Sequence, residues 1–335
     1  MPIGYRGRFA PSPTGQLHLG SAAAAIFCAA AALQAHGTLV LRMEDLDTDR
    51  VVPGCADAIL NDLRWLGIHW QEGPDTTGPF APYTQSQRLP LYQAALDLLA
   101  AQNLTFYCDC SRAEIARAAS APHAGEEGPR YPGTCRPFGM TQRAFKRPPA
   151  VRLAVPNNSH SLITIRDRIL GDFTENVFQT TGDFVLRRGD GVFAYQLAVV
   201  VDDLTMGITE VVRGADLAAS APRQTLLAQL LGGTSPTFAH IPLLYGDNGE
   251  RLAKRAKGVP LADQRASGVH PSKLLLAIAG AYGVDISPWV DPSTHSHLPT
   301  AQTLLTHLAG QISWPQLNQR PVNAPNVFQL LHKFT

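Results

Sequence analysis

The start of the chain places an alanine-rich segment between two short strand-like segments, an order of strand, helix and strand. Residues 7–10 are predicted to form a short strand, and residues 21–36 favour helix because they are rich in alanine, with Gly37 as a C-terminal stop. Residues 38–43 combine branched and apolar side chains in the pattern of a buried strand. A glycine-containing turn joins the first strand to the helix, so the segment indicates the opening of a parallel α/β sheet.

The pattern changes after a predicted helix at residues 89–101 and later returns to its first form. The intervening stretch carries short β-like segments, such as residues 162–166, and most of the proline and glycine clusters, which indicates an insertion. Strands are then predicted at residues 208–213 and 240–245, on either side of a helix at residues 223–231. The remainder of the chain is predicted to form amphipathic helices, around residues 271–281, 300–309 and 327–331.

We therefore expect an α/β fold in four consecutive parts. Residues 1–105 and 191–258 are the two halves of a parallel-sheet domain. Residues 106–190 form an α+β subdomain inserted between them, and residues 259–335 form a helical C-terminal region. A chain of 335 residues with 45% hydrophobic residues can bury one sizeable core and a second, smaller one.

Composition argues against a membrane protein and leaves nucleic-acid binding open. The N-terminus lacks the apolar segment of a signal peptide, and the alanine-rich run over residues 22–32 is too short to span a bilayer, so we expect a cytoplasmic protein. The formal net charge of +1 is lower than a wholesale phosphate-binding surface usually leaves. Between residues 130 and 152, however, six Lys and Arg residues occur without an acidic residue. That run is either a solvated loop or a surface that faces RNA.

Three of the five cysteines fall close together in the predicted insertion. The odd number and the grouping of Cys108, Cys110 and Cys135 suit a metal or reduced thiols better than a disulfide framework. Three thiolates in this spacing fit a structural tetrahedral zinc site, which needs a fourth ligand. Ligand chemistry alone favours His123 for that place. The alternative is three buried, reduced cysteines that bind no metal.

The turn between the first strand and the first helix contains residues suited to phosphate chemistry. Residues 12–21 read SPTGQLHLGS, and Gly15 and Gly20 permit close approach of a ligand to the backbone. Backbone N–H groups and the dipole at the start of a helix favour a bound phosphate. His18 can donate to a phosphoryl oxygen as negative charge develops during attack at phosphorus. In isolation this His-Leu-Gly-Ser segment would be interpreted as an ordinary loop.

Several short segments together resemble one enzyme family. Residues 8–15, RFAPSPTG, with residues 18–21, HLGS, closely resemble the first signature of class I glutamyl-tRNA synthetases and their relatives. The resemblance continues through LRMEDLD at residues 41–47, YQLAVVVDD at residues 195–203 and VVRG at residues 211–214, and spans residues 6 to about 258. It implies the class I synthetase fold, with a Rossmann-type parallel sheet, and the activation of glutamate by ATP.

The resemblance also implies roles for individual residues, and these suit glutamate, which carries two carboxylates and one ammonium. The glutamate ligands implied are two guanidinium groups, a carboxylate and two hydroxyls, from Arg8, Arg213, Glu44, Ser12 and Tyr195. The ATP ligands implied are Pro11, Gly15, His18, Gly20 and Lys254. His18 and Lys254 are the catalytic residues implied, since both would stabilise charge on phosphate oxygens. On chemistry alone the cations and Glu44 would also suit glutamine or aspartate.

Lys254 belongs to the segment RLAKR at residues 251–255, which matches the lysine-rich loop of class I enzymes. The usual pattern is Lys-Leu-Ser-Lys, and this chain departs from it at Arg251 and Ala253. Lys254 corresponds to the second lysine and would neutralise the triphosphate in the transition state. We expect the departures to affect the rate or the loop's mobility, not the function.

The insertion and the C-terminal region resemble a family of short paralogues, the glutamyl-queuosine tRNA(Asp) synthetases. In that family a Cys-x-Cys pair is followed by Tyr-x-x-x-Cys, which implies Tyr131 as the fourth zinc ligand. The residues after 258 hold few cations, so we expect no anticodon-binding domain. The reaction implied uses ATP with Mg²⁺ to activate L-glutamate and transfers the glutamate to the queuosine base at the wobble position of tRNA(Asp). We expect a monomer.

Two alternatives remain open at this point. One is a conventional glutamyl-tRNA synthetase catalytic subunit that lacks its anticodon domain and works with a separate binding partner. The other is a catalytically silent, tRNA-binding paralogue, and Ala253 in the lysine loop is the only feature that favours it.

Overall fold

A parallel sheet of four strands forms the centre of the protein. The computed structural model describes residues 4–118, 130–245, 260–290, 298–319, 322–323, 327 and 329–331. The strands are β1 (Arg6–Phe9), β2 (Thr38–Leu41), β3 (Thr105–Cys108), β4 (Ala150–Leu153), β5 (Leu162–Ile165), β6 (Phe173–Asn176), β7 (Val185–Arg187), β8 (Glu210–Gly214), β9 (Thr237–Ile241), β10 (Leu244–Tyr245) and β11 (Val322–Asn323). The helices are α1 (Leu19–Gln34), α2 (Cys55–Trp65), α3 (Leu89–Ala101), α4 (Arg112–Ala118), α5 (Val177–Thr180), α6 (Tyr195–Thr205), α7 (Ala221–Leu230), α8 (Leu261–Ala266), α9 (Pro271–Ala281), α10 (Ser287–Val290) and α11 (Ala301–Gln311).

The strand order in the central sheet is β2-β1-β8-β9, and every neighbouring pair is parallel. Strand β1 therefore lies in the middle of the sheet, next to β2, to which α1 connects it. Almost every residue of these strands is buried, the arginines Arg8 and Arg213 included, as expected for a sheet that is covered on both faces. The α/β class and parallel sheet predicted from the sequence are confirmed.

Helix α1 is buried almost all round, and its alanines explain how it can be. It packs against β1 and β8 on one side and against α9 and α11 on the other. Ala22 and Ala25 are completely buried, so their methyl groups allow close approach of the neighbouring elements. A leucine at either position would overpack this core and cost about 1–3 kcal/mol. The packing holds the N-terminus of α1 at a fixed place beside the ends of the central strands.

The region between β3 and β7 forms its own antiparallel structure and also joins the central sheet. Strands β3, β4 and β7 make an antiparallel sheet, and β5 and β6 make a separate antiparallel pair. After β5 the chain runs along the edge of β9, where Arg168 N donates to the carbonyl oxygen of Phe238 at 2.9 Å. Asp167 forms a parallel bridge with the same phenylalanine. The insertion is therefore in direct contact with the sheet that carries the candidate site.

The single strand predicted at residues 240–245 is wrong, because the structure divides it into the end of β9 and the short β10. Pro242 lies at the break, and a proline has no N–H to continue a strand ladder. Strand β10 pairs in parallel with β11, which periodicity did not indicate. Within the part of the chain described here, no helix is long and apolar enough to cross a membrane.

Candidate active site

A cleft of about 580 Å³ opens at the carboxyl ends of β1 and β8. This is the edge at which open α/β sheets bind ligands. The cleft is lined by predicted glutamate and ATP ligands from distant parts of the chain, namely Arg8, Pro11, Ser12, Gly15, His18, Glu44, Tyr195 and Arg213. Parallel strands bring these residues together because each lies at, or just after, the end of a strand or at the start of a helix.

His18 is the N-cap of α1, which the sequence did not predict, since the helix was expected to begin at Ser21. Its ring Nδ1 accepts hydrogen bonds from the backbone N–H groups of Gly20 at 3.1 Å and Ser21 at 3.3 Å. Burial lowers the pKa of His18, so the imidazole is neutral near pH 7. Because Nδ1 is an acceptor, the proton must sit on Nε2, which lies 3.2 Å from Ser21 Oγ. The helix cap thus presents His18 Nε2–H as a donor.

The two glycines of the turn occupy different environments. A Cβ atom on Gly20 would meet His18 Cε1 at 3.1 Å, so Gly20 gives room to the imidazole, and it does not line the cleft. Gly15 does line the cleft, and a Cβ there would meet nothing within 4 Å among the described residues. Two of the first helical amides are engaged by His18. The sequence had suggested that these amides are available to a phosphate. In the structure they are engaged by His18 and become available only if its ring moves.

Arg8 brings a buried and incompletely satisfied guanidinium to the cleft. The residue is 4% exposed, and its Nε has no hydrogen-bond acceptor among the described residues, with Asp203 Oδ1 3.6 Å away. Nη1 makes one long hydrogen bond, 3.4 Å, to the carbonyl oxygen of Val212. A buried donor that lacks a partner is costly, so Arg8 is suited to an anionic ligand. Arg213, on the neighbouring strand β8, is 5% exposed, and burial lowers its pKa.

Glu44 is held at the cleft by an arginine that sequence reasoning did not single out. Arg42 is completely buried, and its Nη2 donates to Glu44 Oε1 at 3.0 Å while Nη1 donates to Asp203 Oδ1 at 2.7 Å. Burial raises the pKa of Glu44, and the two nearby guanidinium groups of Arg42 and Arg8 oppose that shift. Arg42 thereby fixes the orientation of the carboxylate that faces the cleft.

The same network continues inward to Asp202, which is completely buried. Its Oδ1 accepts from Arg88 Nε at 2.6 Å, and its Oδ2 accepts from Gln85 Nε2 at 2.8 Å and Tyr92 hydroxyl at 2.9 Å. Arg42 Nε lies 3.5 Å from Oδ2. The segments LRMEDLD and YQLAVVVDD had marked Arg42 and Asp202 as members of a pattern without giving them a role. Their role is to anchor the wall of the cleft.

Serine and tyrosine contribute hydroxyls at the cleft's rim. Ser12 lies in the turn after β1, where its carbonyl oxygen accepts from Thr14 N at 2.8 Å. Tyr195 is the first residue of α6 and is 38% exposed, so its ring is accessible from solvent. Both line the cleft, as expected from the sequence.

Lys254, the second predicted catalytic residue, lies outside the described residues, as do Arg251 and Ala253. The residues that follow this segment in sequence are placed next to His18. Pro260 forms an isolated antiparallel bridge with His18, and Leu261 N donates to the carbonyl oxygen of Leu17 at 2.9 Å.

The three grouped cysteines and Tyr131 converge on one point in the insertion. The Sγ atoms of Cys108, Cys110 and Cys135 lie within 4.8 Å of one another, and Cys110 and Cys135 are 3.5 Å apart. The Tyr131 hydroxyl lies 3.5 Å from Cys108 Sγ and 3.8 Å from Cys110 Sγ. A tetrahedral zinc with Zn–S bonds of about 2.3 Å requires ligand atoms about 3.8 Å apart. The donor set and its spacing therefore fit a tetrahedral metal ion. His123 lies outside the described residues.

A charged residue pair supports this cluster from one side. Arg143 Nη2 lies 3.4 Å from Cys135 Sγ and donates to Asp109 Oδ1 at 2.8 Å. Burial would raise the pKa of Cys135, but hydrogen bonds from Tyr131 and Arg143 outweigh it and lower that pKa. The Arg143 cation thus favours the thiolate form of Cys135, which is the form that metal ligation needs, whereas burial raises the pKa of the neighbouring Cys110 to about 12.

The basic run between residues 130 and 152 is largely engaged within the protein. Arg130 donates to the carbonyl oxygen of Phe178, and Arg136 pairs with Asp183 at 2.8 Å. Lys146 pairs with Glu114 at 2.9 Å. The run is therefore not simply a solvated loop. If it faces RNA, it would have to use cations that already have acidic or carbonyl partners.

Comparison with known proteins agrees with this site. The family model described as tRNA synthetases class I (E and Q), catalytic domain, matches residues 5–284. The glutamyl-Q tRNA(Asp) synthetase of Nitratidesulfovibrio vulgaris is 48% identical over 268 residues, which cover 79% of this chain and 82% of that protein. Glutamate–tRNA ligase 1 of Halorhodospira halophila is 41% identical over 278 residues, which cover 81% of this chain and 57% of that protein.

A solved structure extends the similarity to the fold. The glutamate tRNA ligase from Elizabethkingia meningosepticum in complex with its amino acid has a TM-score of 0.78 and 25% identity, and the match covers 98% of this chain and 69% of that chain. The matched residues include every described residue that lines the cleft. The chain belongs to the catalytic-domain family of class I tRNA synthetases for glutamate and glutamine and, within it, to the glutamyl-Q tRNA(Asp) synthetases.

Proposed function

We propose that this protein activates L-glutamate with ATP and Mg²⁺ and transfers the glutamate to the queuosine base at the wobble position of tRNA(Asp). The observation that carries the proposal is a single cleft in which two buried guanidinium groups, one carboxylate and a neutral histidine donor face the same space. The choice of tRNA(Asp) and its modified base is supported by similar proteins that are named glutamyl-Q tRNA(Asp) synthetase.

The amino-acid part of the cleft suits a dicarboxylate with one ammonium group. Arg8 and Arg213 offer N–H donors to carboxylates, and Glu44 offers its carboxylate to the ammonium. Ser12 and Tyr195 add hydroxyls at the rim. We assign these five residues to glutamate binding. Glutamine would leave one buried guanidinium without a counter-charge, and this disfavours it.

The activation step is an in-line attack of the glutamate α-carboxylate oxygen on the α-phosphorus of MgATP, which forms glutamyl-adenylate and releases pyrophosphate. His18 Nε2–H donates to a phosphate oxygen as charge builds, and the proton stays on the ring because no proton transfer is required. We propose that Pro11 and Gly15 shape the ATP side of the cleft, that Gly20 acts through the room it gives the His18 ring, and that Lys254 stabilises the phosphates. The pairing of Pro260 and Leu261 with the His18 segment supports this place for the lysine segment.

The transfer step needs a hydroxyl nucleophile, and the cyclopentene-diol of queuosine provides one. Attack on the carbonyl carbon of the adenylate forms an ester and releases AMP. Catalysis is mainly positioning, since the activated carbonyl and the hydroxyl react once they are held together. We place the enzyme in the cytoplasm, where its tRNA is found, and expect it to act as a monomer.

We propose that the insertion, residues 106–190, carries a structural zinc ion held by Cys108, Cys110, Tyr131 and Cys135. Zinc accepts thiolate sulfur in a closed tetrahedral site, and such sites stabilise small subdomains. The spacing of the four donor atoms and the Arg143 cation beside Cys135 support this assignment. None of these four residues lines the cleft, so a zinc ion held by them would contribute folding energy to the insertion.

Pyrophosphate exchange without RNA tests the activation step. With glutamate and ATP the protein should exchange labelled pyrophosphate into ATP, whereas glutamine and aspartate should give little exchange. Arg8→Gln should abolish exchange, because Arg8 faces the cleft. Arg6→Gln is the matched control, since Arg6 lies on the same strand but pairs with Glu72 away from the cleft. Absence of exchange with glutamate would refute the activity, and exchange that requires tRNA would favour a conventional glutamate–tRNA ligase.

A further inference from the structure

Arg213 donates three of its five guanidinium N–H groups to neutral acceptors. Nε donates to His240 Nε2 at 3.1 Å, Nη1 donates to Gln224 Oε1 at 2.8 Å, and Nη2 donates to the carbonyl oxygen of Leu217 at 3.1 Å. The described residues supply no carboxylate that pairs directly with this arginine. A buried cation surrounded by neutral dipoles retains its charge for a ligand.

Because arginine can only donate, it fixes the proton of the neighbouring histidine. His240 Nε2 accepts from Arg213, so the neutral ring carries its proton on Nδ1, which lies 2.5 Å from Asp167 Oδ2. The side chains of His240 and Asp167 are both completely buried. The other oxygen of Asp167, Oδ1, accepts from the backbone N–H groups of Ile169 and Leu170, each at 2.9 Å. These two backbone hydrogen bonds therefore orient the Asp167 carboxylate independently of His240.

The arginine also fixes the amides on its other side. Gln224 Oε1 accepts from Arg213, so Gln224 Nε2 is the donor to Gln196 Oε1 at 2.8 Å. Gln196 Nε2 in turn donates to Ser220 Oγ at 3.1 Å. Two hydrogen-bond chains of defined direction thus lead away from one guanidinium, and both are built from neutral acceptors at the point of contact.

We propose that His240 and Asp167 are positioning residues that hold Arg213 in its ligand-binding orientation without neutralising it, so that a substrate carboxylate supplies the counter-charge. This inference rests on the proposed binding of glutamate by Arg213. Asp167 belongs to the segment of the insertion that runs along β9, so the insertion contributes to the amino-acid pocket through His240. A carboxylate in direct contact with Arg213 would compete with the substrate; the imidazole between them prevents that contact.

Asp167→Asn tests the direction of the hydrogen-bond chain that runs from Arg213 through His240 to Asp167. Its Oδ1 would remain with the amides of Ile169 and Leu170, so its Nδ2–H would face His240 Nδ1 and donate to it. The histidine proton would then move to Nε2, where it opposes the N–H of Arg213. The KM for glutamate in pyrophosphate exchange should rise by about 10- to 100-fold, the value of one hydrogen bond to a charged group. The KM for ATP should stay within about twofold, because Arg213 does not face the phosphates in the proposed pose.

Two variants of His240 separate positioning from general destabilisation. His240→Gln places an amide oxygen near the position of Nε2, can accept from Arg213, and should keep the glutamate KM within about threefold of the wild-type value. His240→Leu removes the acceptor and should match Asp167→Asn. A His240→Leu variant with a wild-type glutamate KM would overturn the proposal, as would a His240→Gln variant whose glutamate KM rises as far as that of His240→Leu.

Nitrogen-15 NMR of the histidine rings tests the same point without any activity. The signal lost in His240→Gln identifies His240, and it should show the Nδ1–H tautomer in the wild-type protein and the Nε2–H tautomer in Asp167→Asn. An Nε2–H tautomer or an imidazolium in the wild-type protein at pH 7 would overturn the proposal, as would an unchanged glutamate KM in Asp167→Asn. If the wild-type protein shows no pyrophosphate exchange, the proposed function fails. The NMR result would still decide whether Asp167 sets the tautomer of His240.

Discussion

Asp202 is the most connected carboxylate in the buried network, and replacing it with asparagine removes one charge at nearly constant volume. Its Oδ1 meets Arg88 at 2.6 Å, and its Oδ2 meets Gln85 and Tyr92 and lies 3.5 Å from Arg42. An amide in its place must turn an N–H group towards donors on one side or the other. Both arginines are almost completely buried, so neither could recover its lost partner from water.

The magnitude follows from the burial of the pair. Breaking a buried ion pair by removing one partner costs about 3–5 kcal/mol. A chain of 335 residues has an unfolding entropy of about 0.7 kcal/mol/K at its midpoint. Asp202→Asn should therefore lower the Tm by about 4–7 °C. The glutamate KM should change much less, because Asp202 does not line the cleft.

Thermal unfolding by circular dichroism or calorimetry measures the shift, with Asp97→Asn as the matched control. Asp97 lies on an exposed face of α3, where it accepts one hydrogen bond from Gln93. The control should change the Tm by less than about 1 °C. If Asp202→Asn shifts the Tm no more than Asp97→Asn, the network does not stabilise the wall of the cleft.

Three further predictions concern the amino-acid pocket, the cysteine cluster and pH. Glu44→Gln should raise the glutamate KM in pyrophosphate exchange by about 10- to 100-fold with little change in the ATP KM; equal effects on both would contradict its contact with the ammonium. Cys135→Ser should lose the zinc that mass spectrometry of the purified protein detects, whereas Cys28→Ser, a buried cysteine outside the cluster, should retain it; zinc retained in both would exclude the site. Burial lowers the pKa of His240, so the unfolded chain takes up this proton first, and stability should fall as the pH drops below about 6.5. In His240→Gln the fall of the Tm between pH 7 and pH 5 should be smaller than in the wild-type protein. An equal fall in both proteins would show that His240 does not cause this pH dependence.

Two kinds of signal in the sequence predicted the place of the cleft. Periodicity and propensity predict the first strand, the turn and the alanine-rich helix. The resemblance to class I synthetases implied that Arg8 and Arg213 belong to the site, and parallel strands bring both to one edge. The break in the predicted strand at residues 240–245 could also have been predicted, because Pro242 has no N–H to continue a strand's hydrogen-bond ladder. The N-cap role of His18 was harder to foresee, since histidine is outside the usual set of capping residues.

The buried polar contacts could not be predicted, because they join residues that are far apart in sequence. Arg42 and Asp203 are separated by 161 positions, and Asp167 and His240 by 73. Each of these residues alone would be interpreted as a solvated charge or an ordinary core histidine. Their pairing depends on the register of the sheet and on the path of the insertion along β9, neither of which leaves a pattern in the local sequence.

Transfer of glutamate to the modified wobble base of tRNA(Asp) can be measured with two preparations of that tRNA. Labelled glutamate, ATP and the protein are incubated with tRNA(Asp) that contains queuosine and, in parallel, with tRNA(Asp) from cells that lack it. We expect alkali-labile glutamate on the anticodon fragment of the first tRNA and none on the second. Label on the 3′-terminal fragment, or equal labelling of both tRNAs, would contradict this expectation.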